Sequence, residues 1–148
     1  MQFNADSDFV FNPEESIKLE GKTGPYILYA YARIQSIFRK LDTNQTPTMP
    51  ADIQLSATEK SLMKLLIQYQ DITTAASDKY DPAILTKYLY EVAKTFNGFY
   101  RDNKIMNISR DTPAGVSLQQ QRIYIADKTA TVLKNGLALL GIDVLDTM

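Results

Sequence analysis

Apolar residues recur along this chain three or four apart, at helical spacing, and no stretch sustains the strict alternation of a half-buried strand. That feature restricts the fold to packed helices. At about 100° per residue, Ile27, Ala30, Ile34, Ile37, Phe38 and Leu41 fall on one side of a first helix. Leu62, Leu65, Leu66 and Tyr69 give a second helix its core face, and Ile72 to Lys79 either continue or restart it. Ile84, Leu85, Tyr88, Leu89, Val92, Phe96, Phe99 and Tyr100 hold the period over about five turns. A long last helix carries Ile123, Ala126, Ala130, Leu133, Leu137 and Leu140.

Punctuation agrees with the period. Thr23 caps the first helix, Pro25 takes its first helical position, where a missing N–H wastes no hydrogen bond, and the helix runs to about Lys40. Residues 42 to 55, with Pro47 and Pro50, read as a loop, and Ser56-Ala57-Thr58-Glu59 as a capping box. Asp81-Pro82 caps the third helix. Asn103 to Val116 is a second predicted loop, Ser117-Leu118-Gln119-Gln120 a second predicted capping box, and Gly141 a left-handed helix stop. There is no internal repeat. The predicted architecture is all-α, a helical bundle of four to five helices, and 148 residues suffice for one domain with its own core.

The chain has no Cys, no His and no Trp, which removes disulfides, cysteine-ligated zinc, thiolate nucleophiles and imidazole chemistry. Charge nearly balances, with 16 basic and 17 acidic residues, but unevenly. The first twenty residues carry Asp6, Asp8, Glu14, Glu15 and Glu20 against Lys18, leaving 15 basic and 12 acidic residues on the remainder. That mild excess lies far below the charge of a non-specific nucleic-acid binder. Neither a membrane-length apolar run nor a signal-peptide profile is present, so a cytoplasmic protein is expected, with no membrane and no DNA partner. Phe3, Phe9 and Phe11 in the acidic lead-in are expected to favour self-association if exposed. The dispersed carboxylates give a hydrolase little support.

Beside the apolar stripe of the first helix runs a second, Tyr26, Tyr29, Arg33, Ser36 and Lys40, and the third helix ends in Phe96-Asn97-Gly98-Phe99-Tyr100-Arg101. Aromatic platforms with nearby cations suit unstacked bases and phosphates. The same pattern also suits an amphipathic rim whose Tyr rings fill the core edge. By pattern alone both readings stand, and so does a helical protein-interaction module without an RNA partner.

Three segments carry a resemblance. GKTGPYILYAYARIQSI (21 to 37) resembles the stretch with which arginyl-tRNA synthetases leave their class I catalytic domain. DPAILTKYLYEVAKTFNGFY (81 to 100) resembles the central helix of that family's DALR-type anticodon-binding domain, and VLKNGLALLGIDVLDTM (132 to 148) its carboxyl terminus. They occur in family order. The resemblance implies an anticodon-binding bundle over residues 21 to 148 that recognises the anticodon arm of tRNA-Arg, with residues 1 to 20 the end of a catalytic domain. It implies that Tyr26, Tyr29 and Arg33 lie against the anticodon arm. It implies too that Tyr100 and Met148 help enclose the loop around the middle base, a cytosine in arginine tRNAs.

Departures from the family pattern are Lys22, Leu28, Tyr31, Lys104 and Thr147. The family's His-containing signature and Lys-Met-Ser-Lys-Ser-like loop are absent. The resemblance therefore implies no cofactor in this fragment, ATP and arginine being handled by the parent enzyme's catalytic domain, and no aminoacylation by this chain alone.

Overall fold

The computed structural model describes residues 12–16, 21, 23–41, 47–51, 53–106, 108–109 and 111–147. Phe3, Phe9, Phe11, Lys22 and Met148 lie outside them. The described residues form a single-turn helix α1 (Pro13–Ser16), then α2 (Gly24–Leu41), α3 (Ala57–Ile67), α4 (Tyr69–Asp78), α5 (Pro82–Asp102) and α6 (Pro113–Leu139), with no strand among them. Apart from the single turn, this is the expected all-helical bundle.

Local chemistry sets the helix ends. The Thr23 hydroxyl accepts from the Tyr26 amide at 3.3 Å, and the helix opens at Gly24, one residue before Pro25. Ser56 and Glu59 form the reciprocal capping box read from the sequence. Gln68 turns the chain between α3 and α4, so the second apolar stretch restarts, and does so at Tyr69. The Asp81 carboxylate accepts from the Ala83 amide at 2.9 Å, with Pro82 in the first turn.

The start of α6 corrects the sequence reading. Thr112 is the cap, its hydroxyl accepting from the Gly115 amide at 3.2 Å, and the helix begins at Pro113, so Ser117 and Gln120 already sit inside it. The Thr-Pro pair supplies both a cap and a residue pre-set to helical φ, and its cap lies five residues before Ser117 of the Ser-x-x-Gln pattern. At the far end Gly141 adopts φ +72°, and the Ile142 amide donates to the Leu137 carbonyl at 3.0 Å, the expected left-handed stop.

The long helix α5 packs against α2, α3, α4 and α6. Its fully buried Leu89, Val92, Ala93, Phe96 and Phe99 are the middle of the core. Burying a side chain the size of Leu, Val or Phe stabilises the fold by about 1.5–3 kcal/mol. Tyr26 meets Tyr90 and Arg33 meets Asn97, so α2 and α5 run in the same direction. Contacts of Thr58 with Asn103 and of Leu65 with Tyr88 make α3 antiparallel to α5. Glu59, only 1% exposed, pairs with Arg122 at 2.9 Å and ties α3 to α6. Beyond α6, Ile142 and Val144 pack on the core and the Asp146 carbonyl accepts from Arg39 at 2.8 Å, drawing the tail back along α2.

Candidate nucleic-acid interface

The parallel run of α2 beside α5 brings two of the sequence's aromatic clusters together. Tyr29 and Arg33 sit one turn apart on α2 and therefore share a face. Nη2 of Arg33 donates to the Tyr29 hydroxyl at 3.1 Å, and the guanidinium carbon stands 4.7 Å from the Tyr29 ring centre. From α5 the Tyr100 ring approaches the same guanidinium to 5.0 Å, while Asn97, one turn earlier, accepts from Nη1 at 2.6 Å. Tyr100 is 41% exposed and leans on Phe96, with ring centres 6.2 Å apart. A buried ring thus supports Tyr100 from within while the side chain stays half-exposed.

Two of the five N–H donors of Arg33 are used by Tyr29 and Asn97. No carboxylate of the described residues pairs with Arg33. The remaining donors are available to an anion, and the guanidinium plane is already oriented by its neighbours. Arg101 and Lys104 lie exposed beyond Tyr100. Arg101 is engaged by Asp102 at 2.8 Å, and this guanidinium holds the Asp102 carboxyl below the usual carboxylate range.

The structure therefore joins three of the five sequence-derived site residues, Tyr29, Arg33 and Tyr100, into one cluster. Tyr26 lies off it, its ring tilted against that of Tyr90 with centres 5.3 Å apart, further toward the start of both helices. Met148 is outside the described residues. Asn97 was missed as a site residue: only its place in the Phe-Asn-Gly-Phe-Tyr run marks it, since the guanidinium it orients comes from another helix.

Two departures from the family pattern point away from this cluster. Tyr31 is 4% exposed and Leu28 packs against the core. Burial raises the Tyr31 phenol, the Asp146 carboxylate raises it further, and a hydrogen bond with Gln35 opposes both. The tail thus packs on the other flank of α2 from Tyr29 and Arg33. Among the described residues no group of three or more carboxylates is placed to hold a metal ion, and no helix is long and apolar enough to cross a membrane.

Comparison with known proteins gives the family of the chain. The family described as DALR anticodon binding domain matches residues 27–148, and the chain belongs to that family. Curated relatives that it matches include arginine–tRNA ligases. That of Clostridium perfringens is 36% identical over 144 residues, covering 97% of this chain and 25% of the relative. That of Phocaeicola vulgatus is 33% identical over 151 residues, covering 100% and 24%. The chain thus spans about a quarter of the length of these relatives. The solved Thermus thermophilus arginyl-tRNA synthetase superposes with TM-score 0.77 at 30% identity, over 93% of this chain and 23% of that one. The Plasmodium falciparum enzyme gives TM-score 0.78 at 24% identity, over 99% and 25%, which adds agreement in fold.

Proposed function

We propose that this chain recognises the anticodon arm of tRNA-Arg, as the anticodon-binding part of an arginine–tRNA ligase. The observation that carries the reading is the Arg33 guanidinium, set against the rings of Tyr29 and Tyr100 with no described carboxylate to neutralise it. An oriented cation beside a half-exposed ring offers a phosphate a charge-assisted contact and a splayed base a stacking surface within one side-chain length. Tyr29, Arg33, Asn97 and Tyr100 make up this contact surface, with Tyr26 extending it toward the start of α2, and the family resemblance adds Met148.

In the same reading residues 1 to 20 end a catalytic domain that handles ATP and arginine, and 21 to 148 are the bundle. The near-neutral charge of the chain fits a surface that selects by placed aromatic groups more than by bulk attraction. The test is a mobility assay of the 148-residue chain with total tRNA across a salt series. Selective retention of arginine isoacceptors supports the reading. Absence of RNA binding at low salt refutes it in favour of a helical protein-interaction module.

A further inference from the structure

Neither Arg122 nor Glu59 lies at the proposed interface, yet both lead to it. The Glu59 carboxylate is spent entirely inside the fold: Oε2 accepts from the Ser56 amide at 2.7 Å and from Gln121 at 3.3 Å, and Oε1 from Arg122 Nε at 2.9 Å. Arg122 directs its other two nitrogens at the segment that ends α5. Nη1 donates to the Lys104 carbonyl at 2.7 Å and Nη2 to the Asn103 side-chain carbonyl at 3.2 Å.

Asn103 is the residue that stops the helix. Its backbone is extended, at φ −125° and ψ 126°, and its amide N–H and its Nδ2 both donate to the Phe99 carbonyl, at 2.9 and 3.0 Å. Nδ2 also donates to the Thr58 hydroxyl at 2.9 Å. Tyr100 sits within the turn so held, between Phe99 and Asn103. Its ring meets the Phe96 ring and the Arg33 guanidinium, and the backbone of that turn sets where the side chain starts toward them.

A buried ion pair is commonly no more stabilising than apolar residues of the same shape, so stability alone does not account for one here. What the pair does supply is a fixed direction for three donor groups. We propose that the Glu59–Arg122–Asn103 cluster is a positioning device for the interface: it locks the last turn of α5 so that Tyr100 faces the RNA beside Arg33. Arg122 and Glu59 then set affinity for RNA without touching it. This rests on the anticodon-arm reading given above.

The test is a double-mutant cycle in the 148-residue chain with a tRNA-Arg transcript at one fixed salt concentration. The pair Glu59→Gln with Arg122→Leu keeps an acceptor for the Ser56 amide and leaves no unpaired buried charge. It is expected to weaken binding about tenfold in the parent background and not at all in a Tyr100→Ala background, because the device acts through that ring. Equal losses in both backgrounds, or no loss in the first, overturn the proposal. Asn103→Ala runs the same cycle with the same two readings if the double variant does not fold. The result for Tyr100→Ala alone separates the two claims. If it weakens binding while the cluster variants do not, the positioning role is wrong and the interface stands; if it leaves binding unchanged, the interface itself is wrong.

Discussion

The guanidinium of Arg33 on α2 lies 5.0 Å from the ring centre of Tyr100 on α5. This contact unites two sequence segments that separately resemble family motifs, and it puts a cation and a half-exposed ring at one point of the surface. A cation so placed gains from the ring quadrupole while its remaining donors stay available to solvent or ligand.

Replacing Tyr100 by Ala removes the ring and keeps the backbone. Stacking of one base on a Tyr is worth about 1–3 kcal/mol, so affinity for tRNA-Arg falls roughly ten- to hundredfold. Filter binding measures the loss, and circular dichroism under heating checks that a side chain this exposed costs little stability.

Arg33→Ala acts differently. A phosphate contact releases condensed counterions, so losing one flattens the logarithmic salt dependence by nearly one unit, and affinity drops most at low salt. Arg33→Lys keeps the charge and therefore most of the slope, but gives up the planar contact with both rings and the fork toward Asn97 and Tyr29. Binding isotherms across a salt series separate the two variants.

Alkaline pH tests the core rather than the interface. Burial, with a smaller part from Tyr69, pushes the Tyr88 phenol up from 10.0 to about 12, while its hydroxyl donates to the Leu65 carbonyl at 2.8 Å. The folded state thus holds this proton more tightly than the unfolded chain. The stability that follows is complete below about pH 10 and is lost as pH rises through about 12. Tyr88→Phe costs about 1 kcal/mol at neutral pH through the lost hydrogen bond, and makes the alkaline fall shallower. Urea unfolding between neutral pH and pH 12 measures both.

Two glycines are expected to respond with opposite signs to the same change. A Cβ on Gly115 would strike the backbone carbonyl of Ser109, which cannot swing aside as a side chain tip can. Gly115→Ala therefore destabilises by about 1–3 kcal/mol despite its gain in helix propensity. At Gly98, inside α5, a Cβ meets nothing within 4 Å, and Gly98→Ala stabilises by about 0.5–1 kcal/mol. Thermal unfolding of the two variants decides the signs.

Much of this was legible in the sequence because it is local. Ser56 and Glu59 cap a helix within four residues, Asp81 and Pro82 start another, and the apolar period of residues 84 to 100 already marks a helix buried on several sides. Local patterns also misled where two competed: Ser117-x-x-Gln resembles a cap, but Thr112-Pro113 starts the helix first. The site divides in the same way. Tyr29 and Arg33 share a stripe on one helix and could be paired by eye. The Asn97 carbonyl that orients Arg33, and the Arg122 that holds the end of α5, act across helices, and no spacing in the chain announces either.

The central claim is that the α2–α5 surface reads the anticodon loop, and the most direct measurement varies the RNA. The 148-residue chain is titrated with a tRNA-Arg transcript and with one whose middle anticodon cytosine is replaced by a purine, at one salt concentration. Recognition through the contact at Tyr100 predicts about ten- to hundredfold weaker binding of the altered transcript, with the difference shrinking in Tyr100→Ala. Equal affinity for the two transcripts in the unaltered chain would contradict the account.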